Sequence, residues 1–420
     1  MSSLTITPAL LCGTVNMVPS KSETHRAVIC ALLSRGKCRI SPVDMSDDIT
    51  ATVKIAEKLG AVCTLCGDIL DIDSSKAFLS DNLTLDCVES GSTLRFMLAV
   101  TAAMGVNCEF IGRGRLPQRP LDDFYNLFPF HGANMTQNHL PLTVSGKLES
   151  GKYTIRGDIS SQFITGLLLS LPLLSGDSEI IISTALESKP YVDMTIECMA
   201  KFGVKVTETE SGYLIKGDQK YKPCEYHIEG DWSQSAFFLA AGVIGGDVTL
   251  LNLNPNSVQG DKEIFNILKR FNADIYFDND KLHCKASKLK ATDIDASQIP
   301  DLVPAIAVVA AFAEGKTKIY GAKRLKYKES NRIKSVCDGL MALGCNVTEL
   351  DDGMEIMGTS LHGGEIDCCN DHRIAMSMSV AASYVEGKSV INGYECINKS
   401  YPGFYEDFKS IGGVADVNNR

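Results

Sequence analysis

A short junction between a helix and a strand recurs six times along the 420 residues of the chain. In each copy a helix-like stretch ends in an apolar residue, which is followed by a glycine, or once an asparagine, and then by a strand. These positions are Gly60, Gly132, Gly203, Asn272, Gly344 and Gly413. They lie 69 to 72 residues apart, and one sixth of the chain is 70 residues, so the repeat is regular.

Each repeat predicts a small mixed α/β unit. Glycine and asparagine fit the junction because the residue just past a helix end commonly adopts a left-handed conformation that they reach at low cost. A second strand is predicted after several copies, at residues 67–72, 211–216 and 352–357. Since one hydrophobic core supports roughly 250–300 residues, we expect an α/β (mixed α+β) fold with two similar domains of three repeats and a cleft between them.

Composition narrows the class of protein. Hydrophobic residues make up 45% and charged residues 22%, as in ordinary folded domains, and the net charge of −10 disfavours nucleic-acid binding. The longest apolar stretches, 167–174 and 305–313, are about half as long as a membrane span, so we expect no membrane segment. The first eight residues carry no signal pattern and the fifteen cysteines are dispersed, which predicts a cytoplasmic protein with free thiols.

Basic and hydroxyl residues gather where helices are predicted to start. Lys21, Ser22 and Arg26 follow a Pro-Ser pair at the start of an apolar run, where backbone amides favour an anion. This start lacks the pattern of a nucleotide phosphate loop, which disfavours ATP. Residues 89–95 and 157–163 are similar, and the Gly/Pro loop 112–120 holds three arginines. Capped, solvated helix ends and a solvated loop are the alternative interpretations.

The second half of the chain holds further clusters of this kind. Asp301 precedes an apolar helix, and Lys328 and Arg332 stand four residues apart around Glu329, as a pair on one helix face would. Residues 370–376 and 399–402 complete the set. A helix cap and a salt-bridged surface helix are the alternative interpretations, and each cluster is a weak signal by itself.

Taken together, in order and spacing, these clusters resemble the 5-enolpyruvylshikimate-3-phosphate synthase family, also called 3-phosphoshikimate 1-carboxyvinyltransferases. The likeness runs from Pro19 to Tyr401, and its most specific residues are Lys21, Ser22, Arg26, Ser160, Ser161, Gln162, Ser188, Lys189, Pro190, Tyr191, Glu229, Gly230, Asp231, Pro300, Asp301, Lys328, Glu329, Arg332, Asn370, Asp371, His372 and Arg373. The resemblance implies three βαβαββ repeats per domain (an inside-out α/β barrel) and an active site in the interdomain cleft. It implies one discontinuous domain, 1–18 plus 229–420, and a second domain, 19–228.

The resemblance also implies the reaction. The enolpyruvyl (carboxyvinyl) group of phosphoenolpyruvate moves to the 5-hydroxyl of shikimate 3-phosphate and phosphate is released, in the shikimate pathway to chorismate and aromatic amino acids. The implied partners are these two small molecules, with glyphosate as an inhibitor, and neither nucleic acid nor a membrane. No metal, nucleotide or organic cofactor is implied, and we expect a monomer.

The site residues follow from the resemblance position by position. The shikimate 3-phosphate site comprises Lys21, Ser22, Arg26, Ser160, Ser161, Gln162, Ser188, Tyr191, Asp301 and Lys328. The phosphoenolpyruvate site comprises Lys21, Gly91, Arg119, Gln162, Arg332, Arg373 and Lys399. The substrates together carry a charge of about −5 to −6. Eight cations are expected to balance this charge and two catalytic carboxylates: Lys21, Arg26, Arg95, Arg119, Lys328, Arg332, Arg373 and Lys399.

The implied chemistry needs a base for the 5-hydroxyl proton and an acid that protonates the methylene carbon of phosphoenolpyruvate. The resulting tetrahedral ketal phosphate then eliminates phosphate. Asp301 is the candidate base and Glu329 the candidate acid, and the two carboxylates could exchange roles in the elimination. Lys21 is expected to assist the phosphate or relay a proton.

Two alternatives remain at this point. The sister family that acts on UDP-N-acetylglucosamine shares the sixfold fold but uses a reactive cysteine on its arginine-rich loop, and residues 112–120 contain no cysteine. A catalytically inactive sugar-phosphate-binding relative would be expected to lose a carboxylate or clamp arginine, and all are present. The chain departs from the usual family loop Gly-Asn-Ala-Gly-Thr-Ala-Met-Arg-Pro at residues 88–96, where Glu89 and Phe96 are unusual and Gly91 is kept.

Overall fold

The computed structural model describes residues 2–78 and 80–418. The chain divides into two compact units. Pro19–Ile228 is called the continuous unit here, and Met1–Val18 with Glu229–Arg420 is called the split unit. Each unit contains three four-stranded sheets within the described residues. The mixed α/β fold of six repeats predicted from the sequence is therefore confirmed.

The split unit begins with β1 (Ser3–Thr7) and β2 (Cys12–Asn16). The strands of the continuous unit are β3 (Lys37–Ser41), β4 (Val62–Cys66), β5 (Ile69–Asp73), β6 (Leu83–Asp86), β7 (Cys108–Ile111), β8 (Ala133–Met135), β9 (Leu142–Gly146), β10 (Lys152–Ile155), β11 (Ser178–Ile182), β12 (Val206–Thr209), β13 (Gly212–Ile215) and β14 (Glu225–His227). Its helices are α1 (Lys21–Leu33), α2 (Asp47–Lys58), α3 (Gly91–Met104), α4 (Asp122–Leu127), α5 (Ser161–Ser170) and α6 (Lys189–Lys201).

The remaining elements belong to the split unit. Its strands are β15 (Asp247–Leu251), β16 (Asp274–Asp278), β17 (Lys281–Lys285), β18 (Ile294–Asp295), β19 (Lys316–Tyr320), β20 (Asn346–Leu350), β21 (Gly353–Met357), β22 (Glu365–Asp367), β23 (Ser389–Asn392) and β24 (Val414–Asn418). Its helices are α7 (Trp232–Gly245), α8 (Ile264–Arg270), α9 (Val303–Ala311), α10 (Arg332–Ala342), α11 (His372–Ala382) and α12 (Phe404–Ser410).

All six sheets share one strand order. In the sheet β6-β7-β9-β8, β6 and β7 are parallel, β7 and β9 are antiparallel, and β8 and β9 form a hairpin. A parallel pair needs a long crossover connection, and α3 supplies it between β6 and β7. The hairpins predicted after the glycine junctions are confirmed, since β5, β13 and β21 each pair antiparallel with the strand before them.

Strands from distant parts of the chain complete three of the sheets. In the continuous unit, β14 pairs parallel with β3 and places Tyr226 opposite Ile40. In the split unit, β2 pairs parallel with β15, while β1 lies antiparallel between β23 and β24. The side chains of Leu4 and Ile6 on β1 are buried in the core of the split unit. The N-terminal strands are therefore part of the packing of the C-terminal half.

Apolar helices form the centre of each unit. In the split unit, α7, α9 and α11 contact one another, and every residue of α9 is buried. A helix that is apolar on all sides is stable only when other elements surround it, as the sheets of the unit do here. In the continuous unit α3 packs against α5 in the same way. Across residues 2–78 and 80–418, none of the helices combines the length and apolar character that a bilayer span requires.

The junction residues have the backbone geometry that the repeat predicted. Gly60, Gly132, Gly203, Asn272 and Gly344 have φ between +64° and +102°, the left-handed region that glycine and asparagine tolerate. The sixth junction differs from the prediction by one residue. Gly412, with φ of +100°, takes the left-handed position, and Gly413 only precedes β24. Two adjacent glycines left the register of this junction undetermined in the sequence.

The burial of β1 predicts how the split unit responds to a change in this strand. Replacing the buried Ile6 by alanine (Ile6→Ala) should destabilise the split unit by about 2–4 kcal/mol, because it leaves a cavity in the core. The chain's single tryptophan, Trp232, lies buried in α7, so its fluorescence during urea unfolding reports on this unit. Leu10→Ala is the matched control, since Leu10 is 65% exposed. Equal unfolding midpoints for the two variants would contradict the prediction.

Candidate active site

Three helices of the continuous unit begin at serine caps, next to predicted site residues. The hydroxyl of Ser20 accepts from the amide of Glu23 at the start of α1, and Ser90 accepts from Thr93 at the start of α3. Ser160 does the same for the amide of Gln162 at the start of α5. These helix starts confirm the sequence prediction. First-turn amides carry a partial positive charge, which makes such helix ends suited to phosphate and carboxylate groups.

Lys21 at the start of α1 forms an ion pair that was not predicted from the sequence. Its Nζ lies 2.6 Å from Oδ2 of Asp48, in the first turn of α2, and both side chains are largely buried. The signal in the sequence was an acid in the first turn of a predicted helix, which is common and points to no particular partner. The pair fixes the direction of the Lys21 side chain.

Arg26 holds predicted site residues of two helices together. Its Nη1 donates to the carbonyl of Ser22 at 2.6 Å, its Nη2 to the carbonyl of Tyr191 at 2.9 Å, and its Nε to Thr195 Oγ1 at 2.8 Å. Burial lowers the pKa of Arg26 to about 10. The guanidinium also lies over the ring of Phe96, 5.3 Å from its centre. Phe96 is one of the two unusual residues of the loop 88–96, and here it packs on this arginine.

Gly91 is required by the close approach of Arg119. A Cβ atom at Gly91 would lie 2.6 Å from Nη1 and 2.8 Å from Cζ of Arg119, so no larger residue fits without moving the arginine. Arg119 ends the arginine-rich loop and is itself buried. The structure therefore places this arginine on the first turn of α3, beside the amides of the helix start.

Gln162 is oriented by two side chains of α3. Its Oε1 accepts from Arg95 Nη1 at 2.8 Å, and its Nε2 donates to Ser92 Oγ at 2.9 Å. Arg95 also donates to the carbonyl of Pro120 at 3.1 Å and lies over the ring of Phe163. These contacts connect the starts of α3 and α5 to the arginine-rich loop and leave one orientation for the amide of Gln162.

The remaining predicted residues of the continuous unit are serines at helix starts. Ser161 is the first residue of α5, and Ser188 immediately precedes α6. Ser188 has a left-handed backbone with φ of +54°, which is uncommon for a residue other than glycine, and its side chain is buried. The two helices pack together and are joined by a 3.0 Å hydrogen bond between the hydroxyls of Thr165 and Thr195.

In the split unit, the Arg332 guanidinium lies among three carboxylates. Its Nη1 donates to Asp301 at 2.8 Å and its Nη2 to Glu329 at 2.6 Å. Asp371 accepts from Nε at 2.8 Å and from Nη2 at 3.3 Å. The Arg332 side chain is only 2% exposed. Burial alone would lower the pKa of Arg332, but the three carboxylates raise it, so the residue stays charged.

Asp301, the predicted base, is surrounded by cations. Lys328 Nζ lies 3.3 Å and Arg332 Nη1 2.8 Å from its Oδ1, and Arg373 Nη2 lies 3.5 Å from its Oδ2. Burial alone would raise the pKa of Asp301, but these three cations lower it well below the usual value of a carboxyl group. Asp301 is therefore ionised, and it is a weaker base than an isolated aspartate.

The predicted helical pair of Lys328 and Arg332 is wrong. Asn331 caps α10, which begins only at Arg332, so Lys328 lies before the helix. Lys328 pairs with Asp301, and Arg332 pairs with Glu329. Because the cap lies between the two residues, Lys328 and Arg332 do not share a helix face, although they are four residues apart in the sequence.

Asp371 is a site residue that belongs to the family motif but had no predicted role. It caps α11 by accepting from the amide of Arg373 at 3.0 Å, and its carboxylate also pairs with Arg332. The turn before it is unusual, since Asn370 has φ of +54°. The carbonyl of Asn370 accepts from Lys399 Nζ at 2.7 Å, which places this predicted cation beside the start of α11.

The structure adds two carboxylates to the predicted charge balance. In the split unit Lys328, Arg332 and Arg373 pair with three carboxylates, and in the continuous unit Lys21 pairs with Asp48. These pairs reduce the excess positive charge of the predicted cations within each unit. Amides at the helix starts supply further positive potential.

The described residues contain no group of three or more histidine, cysteine or acidic side chains arranged to hold a metal ion. All fifteen cysteines are free, and ten of them are buried. The chemistry that the site residues can perform is that of carboxylates, ammonium and guanidinium groups, hydroxyls and helix amides acting on anions.

Comparison with known proteins gives consistent results. The family model for EPSP synthase (3-phosphoshikimate 1-carboxyvinyltransferase) matches residues 6–408. A protein of Clostridioides difficile (strain 630) named 3-phosphoshikimate 1-carboxyvinyltransferase is 44% identical over 431 residues, covering 99% of each chain. A protein of that name from Clostridium perfringens (strain ATCC 13124) is 43% identical over 420 residues, again covering 99% of each. A solved structure of EPSP synthase from Acinetobacter baumannii matches with a TM-score of 0.84 and 25% identity, covering 100% of both chains.

The carboxylate cluster predicts a large stability difference between two aspartates. Asp371→Ala should destabilise the split unit by about 3–5 kcal/mol, because it leaves Arg332 buried with one partner fewer. Asp338→Ala is the control: this residue pairs with Lys334 on the exposed face of α10, and its loss should change the stability by about 0.5 kcal/mol or less. Urea unfolding followed by Trp232 fluorescence measures both. Similar losses of unfolding free energy in the two variants would show that burial of the Arg332 cluster does not increase its contribution to stability.

The lowered pKa of Asp301 predicts a dependence of stability on pH. A group whose pKa is lower in the folded state stabilises that state above its unfolded pKa of about 3.9, and this contribution is lost as pH falls towards the folded pKa. The stability difference between the wild type and Asp301→Asn should therefore be constant from pH 7 to about 5 and shrink from about pH 4 downwards. Urea unfolding at each pH measures it. A difference that grows as pH falls would contradict the assignment.

Proposed function

The chain belongs to the EPSP synthase family, and from this premise we propose how its own residues carry out the family's reaction. The reaction transfers the enolpyruvyl group of phosphoenolpyruvate to the 5-hydroxyl of shikimate 3-phosphate and releases phosphate, in the biosynthesis of aromatic amino acids. A C–O bond forms between the 5-oxygen and the central carbon of phosphoenolpyruvate while the methylene carbon gains a proton. The tetrahedral ketal phosphate then loses a methyl proton and phosphate.

One observation supports the acid–base assignment above all. The candidate base Asp301 and the candidate acid Glu329 both accept hydrogen bonds from Arg332, through different nitrogens of the same guanidinium. A planar, rigid guanidinium fixes the positions of the carboxylates it binds. The reaction requires proton removal and proton addition in one step, and two carboxylates held at a fixed separation suit that requirement.

Asp301 acts as the base for the 5-hydroxyl proton in this proposal. Its lowered pKa makes it weakly basic in the free enzyme, because the charges of Lys328, Arg373 and Arg332 stabilise the carboxylate. Anionic substrate groups near these cations offset part of that stabilisation, so the basicity of Asp301 increases when substrates bind. The base is thus strongest when the hydroxyl group is present.

Glu329 acts as the acid that protonates the methylene carbon, and in the elimination either carboxylate can accept a proton. Glu329 is partly exposed, which gives it access to protons from water. Lys21 assists the departing phosphate. Its pairing with Asp48 supports this role, because a fixed ammonium group needs no reorientation when negative charge develops on the phosphate oxygens.

The substrate contacts complete the proposal. Phosphoenolpyruvate contacts Lys21, Gly91, Arg119, Gln162, Arg332, Arg373 and Lys399. Shikimate 3-phosphate contacts Lys21, Ser22, Arg26, Ser160, Ser161, Gln162, Ser188, Tyr191, Asp301 and Lys328. The hydrogen bonds of Arg26 to the Ser22 and Tyr191 carbonyls support a positioning role for this arginine besides contact with the substrate. Four hydrogen bonds to carboxylates leave Arg332 a single N–H for phosphoenolpyruvate, which supports its main role as a counterion.

An assay of phosphate release tests the substrates. Purified protein mixed with shikimate 3-phosphate and phosphoenolpyruvate should release inorganic phosphate in proportion to the product formed. Replacing shikimate 3-phosphate by UDP-N-acetylglucosamine should abolish release. Phosphate release from phosphoenolpyruvate with UDP-N-acetylglucosamine, and none with shikimate 3-phosphate, would favour the sister activity over the proposed one.

The acid role of Glu329 predicts a specific kinetic change. Glu329→Gln keeps the shape and a hydrogen-bond acceptor for Arg332 but cannot supply the proton, so kcat should fall about 100-fold or more while both KM values change little. Glu355→Gln changes a half-buried partner of Lys316 in the same unit; it is the control and should leave kcat unchanged. Near-normal turnover of Glu329→Gln would remove this residue from the acid role.

Two further features stay predictions. We expect the enzyme to be a cytoplasmic monomer, with a mass in solution close to the 45.5 kDa of one chain. The proposed chemistry uses side chains alone, with no metal or organic cofactor.

A further inference from the structure

Four buried side chains form a hydrogen-bonded chain across the first three helices of the continuous unit. His25 Nδ1 of α1 lies 2.7 Å from Thr52 Oγ1 of α2, and Thr52 Oγ1 lies 2.7 Å from Thr93 Oγ1 of α3. The Thr93 hydroxyl lies 2.7 Å from Ser90 Oγ, which caps α3. All four residues are buried. None of these side chains has a role in the proposed chemistry.

The surroundings of His25 determine which group donates and which accepts in each of these hydrogen bonds. Burial, followed by the charges of Lys21 and Arg26, lowers the pKa of His25 well below its usual value, so the ring is neutral. Its Nε2 is buried with no hydrogen-bond partner among the described residues. A buried donor without an acceptor is costly, so the ring hydrogen lies on Nδ1 and is donated to Thr52. The hydroxyls of Thr52 and Thr93 then donate in turn, and Ser90 accepts.

The last residue of this hydrogen-bonded series, Ser90, lies beside the proposed phosphoenolpyruvate site. Ser90 Oγ accepts both the hydroxyl and the backbone amide of Thr93, which closes the first turn of α3. The next residue, Gly91, is in close contact with the Arg119 guanidinium. Thr52 Oγ1 also lies 3.3 Å from the carbonyl of Asp48, the residue that pairs with Lys21. A displacement of Ser90 would therefore move the first turn of α3, which the Arg119 guanidinium contacts at Gly91.

We propose that His25, Thr52 and Thr93 are positioning residues for phosphoenolpyruvate binding, because their hydrogen-bonded chain fixes Ser90 and thereby the first turn of α3 against Arg119. The inference rests on the proposed role of Gly91 and Arg119 in binding that substrate. The three side chains act through Ser90 and the helix start, at a distance from the reacting atoms.

A matched control distinguishes positioning from simple core stability. Thr101 is also a buried threonine of α3, but among the described residues its hydroxyl bonds only to the carbonyls of Met97 and Leu98 in its own helix. Thr52→Val and Thr101→Val both remove one buried hydroxyl without changing the shape of the side chain. Only Thr52→Val breaks the chain to Ser90, and Thr52→Ser restores the hydroxyl.

The test combines kinetics with hydrogen exchange. Thr52→Val should raise the KM for phosphoenolpyruvate about 5-fold, within the 2- to 13-fold range expected from the loss of one hydrogen bond of about 0.5–1.5 kcal/mol, while kcat and the KM for shikimate 3-phosphate stay close to the wild type. Exchange of the Thr93 amide, which Ser90 caps, should become faster in the same variant. Thr52→Ser and Thr101→Val should match the wild type in KM and in Thr93 exchange. Thr93→Val breaks the chain at its next link and serves if Thr52→Val does not fold.

The outcomes separate this inference from the proposed function. If Thr52→Val and Thr101→Val give equal KM values for phosphoenolpyruvate and equal exchange of the Thr93 amide, the hydrogen-bonded side chains contribute only to core packing and the inference is wrong. If the wild type releases no phosphate from its two substrates, the proposed function fails. Faster Thr93 exchange in Thr52→Val, with Thr101→Val unchanged, would then still support the positioning of α3.

Discussion

The buried Arg332 guanidinium is the interaction on which the arrangement of the split unit's site depends. Its three carboxylate partners stand at the starts of three helices: Asp301 just before α9, Glu329 just before α10, and Asp371 at the cap of α11. One planar cation thus holds three helix ends at fixed distances. Burying a cation among carboxylates is costly unless nearly all its hydrogens are bonded, and four of the five N–H groups of Arg332 are.

In the continuous unit, hydroxyl groups hold the helix starts in place. Serines 20, 90 and 160 cap α1, α3 and α5, and hydroxyl contacts join their first turns to neighbouring helices. Neutral caps oppose the positive potential of the helix ends less than carboxylate caps would. Besides the Lys21–Asp48 pair, the helix starts of the continuous unit therefore present amides and hydroxyls, which suit phosphate groups. The helix starts of the split unit present paired charges, which suit proton transfer.

The sequence is informative wherever a requirement is local. A left-handed backbone position restricts the residue at that position alone, so the glycines suffice to indicate the sixfold repeat and the mixed α/β fold. The cationic residues proposed for the site are also predictable from the sequence, through a resemblance that spans most of the chain. The ion-pair partners of these residues cannot be predicted from the sequence, because Asp48 lies 27 residues from Lys21 and Asp371 lies 39 residues from Arg332. Neither separation corresponds to a helix or strand period.

The position of β1 between β23 and β24 sets the order in which the chain can fold during synthesis. Thr5 bonds to Asn418, 413 residues away, so the first strand leaves the ribosome long before its partners exist. At ~5–20 residues per second this interval is roughly 20–80 s. The continuous unit lies between them and contains all the strands of its own three sheets. The continuous unit can therefore be complete while β1, with its alternating apolar side chains Leu4 and Ile6, still lacks both of its partner strands.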